Sequence, residues 1–343
     1  MRFTPSQPED FRVDEVPLFA PSGSGGHTYV RVRKRLRTTE QVARALASLA
    51  GARPRDVGYA GRKDRVAVAT QWFSVEGLDP ERALAFSESG VDVLEAVRHP
   101  HKLRTGQLRG NRFGVTLRGI VPDARERARE TLERMSRRGM PNRFGPQRYG
   151  RDGENVERGL RLLRGESSDP NRRRARFAIS ALQAAVFDSV LASRAEALDT
   201  VMVGDVARVC ASGGLFVVED LAREAPRAVA FEISATGPIF GTRVLEPVGD
   251  VAECEREVLA RYELRVDALR PPRGIRLRGA RRPLRVRPEE VTLGEVADGL
   301  EIAFTLPSGS YASVLLEELA LEAGDSQSLD AISSSGLPEG TSR

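Results

Sequence analysis

A carboxylate between two cations, set in a glycine-rich turn that runs straight into an apolar strand, dominates the first third of this chain. The turn is Gly58-Tyr59-Ala60-Gly61-Arg62-Lys63-Asp64-Arg65 and the run after it is Val66-Ala67-Val68-Ala69-Thr70-Gln71-Trp72-Phe73. A two-residue period puts Val66, Val68, Thr70 and Trp72 on one face and Ala67, Ala69, Gln71 and Phe73 on the other. The expectation is a half-buried strand that mounts the turn rigidly. A phosphate-binding P-loop is excluded: Gly58 and Gly61 are too close, and Lys63 is followed by Asp64 rather than a hydroxyl. Flanking cations favour the ionised carboxylate. Asp64 is then a poor general acid at neutral pH, but is available as a nucleophile or electrostatic stabiliser. Taken alone, a Lys-Asp-Arg triplet reads equally as a solvated surface turn, because exposed ion pairs are common and weak.

Period-two alternation recurs toward both ends of the chain. Phe11 and Val13 alternate with Arg12 and Asp14 in a first strand over Pro8–Val16. In His27–Arg37, Val30 and Val32 share one side while Arg31, Arg33, Arg35 and Arg37 share the other. That arginine row is either a phosphate track or the solvated outer face of a sheet. The loop Pro21–Gly26 between them lacks the strand-then-helix setting of a dinucleotide fingerprint. Thr39–Ala50 is a helix, with Thr38 and Gln41 as a capping box and Gly51 as its stop. A short strand is expected at Val57–Tyr59, a helix from Asp79-Pro80 to Phe86 and a strand at Val91–Val97. A basic loop, Arg98–Arg112, ends at Phe113, which alternates with Val115 and Leu117 and is either a core aromatic or the face of a base pocket. Leu300, Ile302, Phe304 and Leu306 alternate again before a turn at 307–313 and a helix bearing Val314, Leu315 and Leu319.

Between these ends the pattern is largely helical. Helices are expected at Arg125–Arg138, Asn155–Arg164, Phe177–Ala197 (buried) and 250–262, with short strands at Asp205–Val209 and Leu215–Val218. Gly139–Gly153 is too rich in Gly and Pro for a helix, and Pro238–Gly241 reads as a turn. Pro271–Pro288, dense in arginine and proline, reads as a segment crossing between domains. From Gly324 the chain turns Ser- and Gly-rich, and a disordered tail over 324–343 is expected.

At 343 residues the chain has room for two domains. Cys210 and Cys254 make neither a zinc pattern nor a disulfide framework, and His27, His99 and His101 have no metal-ligand spacing. No apolar run of about 18 residues and no signal-like start is present, which points to the cytoplasm. The formal charge is +5, and lysine occurs only at positions 34, 63 and 102, leaving 50 of the 53 basic residues as arginine. Arginine binds phosphate bidentately and stacks on bases, so the composition suits an RNA partner as well as it suits codon bias.

Gly58–Arg65 with Thr70-Gln71-Trp72-Phe73, Asn111-Arg112-Phe113, Pro141-Asn142-Arg143-Phe144-Gly145-Pro146-Gln147-Arg148-Tyr149-Gly150 and Leu306–Ser313 occur in this order. Together they resemble the TruD family of tRNA pseudouridine synthases from Pro8 to about Leu319. The resemblance implies a catalytic Asp64, with Lys63, Arg65, Asn111, Phe113, Gln147 and Arg148 as substrate-binding residues and Phe113 beside the target base. It implies isomerisation of uridine 13 of tRNA, with the base flipped into a basic cleft between two domains. No metal or small-molecule cofactor is implied; the protein is expected to act as a monomer on tRNA, away from membranes. The fold implied is α+β. A pseudouridine synthase core with a largely antiparallel mixed sheet spans 1–138 and 281–323, around an inserted, mostly helical α+β domain at 139–280. The sequence departs from the family at Pro5, where a basic residue is common, and at Arg143, where an aromatic is common. A non-catalytic RNA-binding protein or chaperone, or a synthase with another RNA target, are the competing readings.

Overall fold

The computed structural model describes residues 6–120, 123–265 and 269–321. The tail from Gly324 and the departure at Pro5 lie outside the described residues. The first part of the chain forms β1 (Phe11–Pro17), β2 (His27–Lys34), α1 (Thr39–Ala50), β3 (Gly58–Tyr59), β4 (Val68–Glu76), α2 (Pro80–Leu84), β5 (Ser87–Glu88), β6 (Val91–His99), β7 (Leu108–Arg118) and α3 (Ala124–Arg138). Then follow β8 (Met140–Pro141), α4 (Glu154–Arg164), α5 (Arg172–Ala192), β9 (Val206–Val209), β10 (Leu215–Val217), α6 (Leu221–Val229), β11 (Ile233–Ile239), α7 (Gly249–Arg261), β12 (Ala280–Pro283) and β13 (Arg285–Val286). The chain closes with β14 (Glu289–Val296), β15 (Gly299–Pro307) and α8 (Ala312–Leu321).

Two compact units result. Among the described residues the first holds 6–132, 288–312 and 319–321, and the second holds 133–287 and 313–318. The sequence reading placed the limits of the insertion at 138/139 and 280/281. The second unit takes in both 133–138 and 281–287, the latter because β12 pairs with β11 and β13 with β8.

In the first unit, strands from both ends of the chain make one sheet, ordered β14-β15-β7-β1-β4-β2-β6-β5, with β3 on β4. Only β1 and β4 run parallel among the described pairs. The fold is thus α+β with a largely antiparallel mixed sheet. Helix α1 starts where the capping box put it: Thr38 Oγ1 accepts from Gln41 N (3.1 Å), and Gln41 Oε1 accepts from Thr38 N (2.7 Å). It ends on Gly51, whose φ of 65° an L side chain rarely adopts. Its Val42, Ala43, Leu46 and Ala47 pack on Val30, Val32, Phe73 and Val75. Full burial of Leu46 or Phe73 contributes roughly 1.5–3 kcal/mol each.

Strand β4 corrects the half-buried expectation. It begins at Val68, leaves Val66 exposed, and is buried on both faces up to its last residue. The reason is its central place: the α1 cluster covers Phe73 and Val75, while Tyr29, Ala60 and Leu103 cover Trp72. The arginine row is largely occupied, and since β2 ends at Lys34 only Arg31 and Arg33 of it lie on the strand. Arg33 pairs with Asp92, Arg35 with Glu9 and Arg37 with Glu88, at exposed or partly exposed sites where solvent screens such pairs. The basic loop is also shorter than expected, because β6 continues to His99 and β7 begins at Leu108. Asn111 and Phe113 therefore lie inside β7.

The second unit is built on α5. Asn171 caps it by accepting from Arg173 N (3.0 Å) and Arg174 N (3.2 Å), so the helix starts and ends five residues earlier than expected. By length and composition α5 is apolar enough to cross a membrane; here it is a core helix, 56% of that apolar window being buried. Its Ile179, Leu182 and Val186 pack with Leu162, Leu163, Phe240, Val258, Ile275 and Leu277. Its Phe187 and Leu191 pack with Ala207, Ile233, Ala235 and Leu284, on the sheet β10-β9-β11-β12. Pro238, read as a turn, lies inside β11. It pairs only with Arg281 of β12, beyond the stretch that β9 covers, so its missing N–H breaks no second ladder. The segment read as a domain crossing is part of this unit too, with Ile275 and Leu277 in its core.

Candidate active site

The turn that carries Asp64 is tied down by buried groups from three elements. A Cβ on Gly58 would come within 2.2 Å of the Leu103 carbonyl oxygen and 2.5 Å of Ser74 Oγ, so only glycine fits where β3 enters the turn. Gln71 of β4 donates Nε2 to the Gly61 carbonyl (3.2 Å). Thr39 at the start of α1 donates to Gln71 Oε1 (2.9 Å) and accepts from Lys63 N (2.9 Å). Lys34, the last residue of β2, donates Nζ to the backbone carbonyl of Asp64 (2.5 Å). The backbone on either side of Asp64 is thus fixed, while Asp64 itself is exposed and its carboxylate makes no ion pair with a described residue.

Neither flanking cation is placed on Asp64. Lys63 Nζ pairs with Glu15 Oε2 (2.9 Å), both side chains buried, and Glu15 Oε1 accepts from Trp72 N (3.3 Å). Arg65 reaches the Leu36 carbonyl at 3.4 Å. The cation in the field of Asp64 is Lys34, which is fully buried. Burial pushes its amine down to about 8; Asp64 and Glu40 pull it back up, and Lys63 pushes it further down.

Asn111 and Phe113 stand on β7 beside this turn. Asn111 lies opposite Glu15 of β1 and Leu306 of β15; Phe113 lies opposite Val13 and Phe304. Opposed residues share a sheet face, so Glu15, Asn111 and Phe113 project to the same side. Lys63 reaches that side through its pair with Glu15. The Phe113 ring is 7% exposed and stacks on Phe304 (5.3 Å between centroids), with Phe11 at 6.0 Å. Asn111 Oδ1 is buried with no hydrogen-bond partner among the described residues, an acceptor held in reserve. Lys63, Asn111 and Phe113 are thus brought to one side of the sheet, in the unit that also carries Asp64.

Gln147 and Arg148 belong to the second unit, on a 3-10 turn over Pro146–Arg148. Gln147 is exposed; the Arg148 guanidinium lies over Phe144 (5.5 Å) and Phe177 (5.7 Å). Their loop is knotted onto α5 by Asp188, which accepts from Phe144 N (3.1 Å) and from the Tyr149 hydroxyl. Burial pushes the Asp188 carboxyl up to about 6, against the pull of those two donors. Arg143 pairs with Glu318 (2.6 Å).

Sequence reasoning left out Glu15, Lys34, Thr39 and Gln71. Two carried a readable signal: Lys34 follows Val30 and Val32 at the same period, and Glu15 follows Phe11 and Val13, which puts a charge on a buried face. Among the described residues no group of three His, Cys, Asp or Glu is placed to hold a metal ion. His99 packs instead against Tyr29 (4.4 Å) and Phe19 (5.3 Å).

The family model described as tRNA pseudouridine synthase D (TruD) matches residues 5–173 and 168–319. The chain is 43% identical to tRNA pseudouridine synthase D of Anaeromyxobacter sp. (strain Fw109-5), covering 91% of this chain and 90% of that protein. It is 42% identical to a tRNA pseudouridine synthase D of Thermus thermophilus, covering 91% and 87%. It is 37% identical to that of Geobacter sp. (strain M21), covering 91% and 94%. The crystal structure of a putative tRNA pseudouridine synthase D from Methanosarcina mazei shares the fold, with a TM-score of 0.72 at 20% identity over 92% of each chain. With a family model spanning nearly the whole described chain and relatives matched over about nine-tenths of both chains at this identity, the chain belongs to the tRNA pseudouridine synthase D (TruD) family.

Proposed function

We propose that this protein isomerises uridine to pseudouridine in tRNA, that its target is uridine 13, and that Asp64 is the reacting carboxylate. The observation that carries the reading is the contrast within one turn: the backbone around Asp64 is fixed by Lys34, Thr39 and Gln71, while its carboxylate is exposed and unspent. The reaction breaks the N1–C1′ bond, turns the uracil, joins C5 to C1′, releases the C5 proton to solvent and leaves N1 carrying a proton taken up in its place. It is an isomerisation, so a preorganised carboxylate and a base pocket meet its needs, without a cofactor or a second subunit. Asp64 attacks or stabilises charge at the nucleotide. Lys34 holds a positive charge beneath it, and Lys63 is braced by Glu15. Phe113 offers a ring edge to the extruded base, and the reserved acceptor of Asn111 offers a partner for the uracil N–H. Gln147 and Arg148 contact the tRNA.

The test is tritium release from unmodified tRNA labelled at uridine C5, with wild type and Asp64→Asn side by side. Release by the wild type alone, mapped to position 13, is expected. Release by both proteins removes Asp64 from the mechanism. Binding of tRNA without release by either favours a binding protein.

A further inference from the structure

The arginine-rich segment after Pro271 has no part in the site above. Ile275 and Leu277 are in the core of the second unit, so the alternate residues Arg276 and Arg278 face solvent. With Arg243 they line a cavity of about 480 Å³ with no acidic side chain among its described lining residues. None of the three makes an ion pair with a described residue. Arg281, further along the same run, differs: it is buried against Glu255 at 2.6 Å. Arg243 also has a φ of 61°, the left-handed region that an arginine rarely adopts. The backbone beside it is pinned there by Thr242 N to the Leu277 carbonyl (2.9 Å) and Gly279 N to the Thr242 carbonyl (2.8 Å). Strain of this kind persists where the surrounding structure holds it, and it gathers at binding sites.

On its other side the groove joins the start of α5. Arg176 donates to the Gly274 carbonyl (3.3 Å). The next residue, Phe177, is 43% exposed, and the Arg148 guanidinium lies 5.7 Å from its ring centre. An exposed aromatic bracketed by cations thus leads into an arginine-lined groove, all within one unit. Arginines suit phosphates, and a bare ring beside them suits a stacked base.

We propose that this surface binds the ribose-phosphate backbone of an RNA strand, with phosphates along Arg176, Arg276, Arg278 and Arg243 and one base stacked on Phe177. It extends the contact of the proposed tRNA substrate beyond the reacting nucleotide, and rests on that reading for the identity of the RNA.

The test measures the Kd of unmodified tRNA against salt concentration for the full chain, its R176Q/R276Q/R278Q variant, and a control, R223Q/R256Q, which removes exposed arginines elsewhere on the same unit. The groove variant should bind at least tenfold more weakly near 0.1 M salt. The slope of log K against log salt should flatten by about 2, since each phosphate neutralised by the protein adds about 0.7–0.9 to it. Its single-turnover tritium release at saturating enzyme should stay within about twofold of wild type, since no residue at Asp64 is touched. Phe177→Ala should weaken tRNA binding about fivefold or more without changing the slope, and leave heparin binding unchanged, because heparin has charge but no base. A groove variant that binds like the control overturns the proposal, and equal effects of Phe177→Ala on tRNA and heparin overturn the stacked base. Wild type that binds tRNA through this groove but releases no tritium sinks the synthase reading and leaves the surface standing. Normal release with unchanged groove-variant binding does the reverse.

Discussion

Lys34 is a charged amine with no exposed surface and, among the described residues, a single hydrogen-bond acceptor, the Asp64 carbonyl. Holding it there is costly: lowering the amine from 10.5 to about 8 corresponds to roughly 3 kcal/mol of charge burial. The sign follows from the direction of the shift. Below about pH 8 the folded protein carries the whole cost. Between about 8 and 10.5 the unfolded chain binds a proton that the folded one does not, so stability rises with pH through that window. Lys34→Met should therefore be about 2–3 kcal/mol more stable at pH 7, with the gap closing as pH rises through that window. Its tritium release should fall about tenfold to a hundredfold, because the turn loses a donor and Asp64 loses its cation. Denaturant melts across pH, run beside the release assay, test both halves; a variant less stable at every pH would make the amine a structural tie. If the charged amine is needed, wild-type kcat declines above about pH 8, in the field of Asp64, Lys63 and Glu40. The period-two pattern made the inward positions of Lys34 and Glu15 readable. The Glu15–Lys63 pair was not, since it joins residues 48 apart through a sheet register that no local pattern encodes.

The loop over residues 142–149 shows the same tension between burial and charge at the scale of an element. Asp188 of α5 holds this loop through Phe144 N and Tyr149, and its carboxyl is pushed up to about 6 from 3.8. Between those values the folded protein holds a proton that the unfolded chain has released, so this group's contribution to stability falls as pH rises from about 4 to 6. Asp188→Asn keeps an acceptor for Phe144 N and removes the titration. Its unfolding free energy relative to wild type should rise by about 1–2 kcal/mol from pH 4 to 6.5 and then level off, a figure discounted for partial exposure. A difference that is flat with pH would mean the carboxyl titrates normally. Elements whose signals are local were legible: α1 has both caps in its sequence, and α4 and α7 follow their helical stripes. Strand β11 was not, because Gly237 and Pro238 speak for a turn and only the one-sided ladder with β12 makes them tolerable. The early start of α5 was readable from Asn171, but its apolar stripe drew the expectation toward Phe177.

On the scale of the whole molecule, the chain leaves for the second unit and returns through a clasp. Met140 and Pro141 of β8 pair with Val286 and Arg285 of β13, so the two ends of the insertion are hydrogen-bonded to each other. Arg285 locks the clasp from inside: it is 2% exposed, donates to the carbonyls of Arg138 (2.7 Å) and Ala228 (2.5 Å), and stacks over Phe231 at 4.3 Å. Strands at Phe11, Phe113 and Phe304 were legible in their alternation, while their joining in one sheet was implied only by the resemblance to the family. The strand order was not legible, because β7 between β1 and β15 is a pairing across nearly the whole sequence. Adjacent ends and two internal hydrophobic clusters are what an autonomously folding insertion needs. The fragment 133–287 should therefore fold alone, with a cooperative thermal transition and dispersed amide resonances. Its Tm should fall below that of the same unit in the full chain, since it lacks residues 313–318 and with them the Arg143–Glu318 pair, itself worth about 1 kcal/mol or less at a partly exposed site. Breaking the clasp with Arg285→Met should cost the fragment about 2–3 kcal/mol, because three carbonyls lose one donor. A fragment that binds ANS and melts without cooperativity would show instead that α8 is an indispensable part of the unit, and that the clasp alone does not close it.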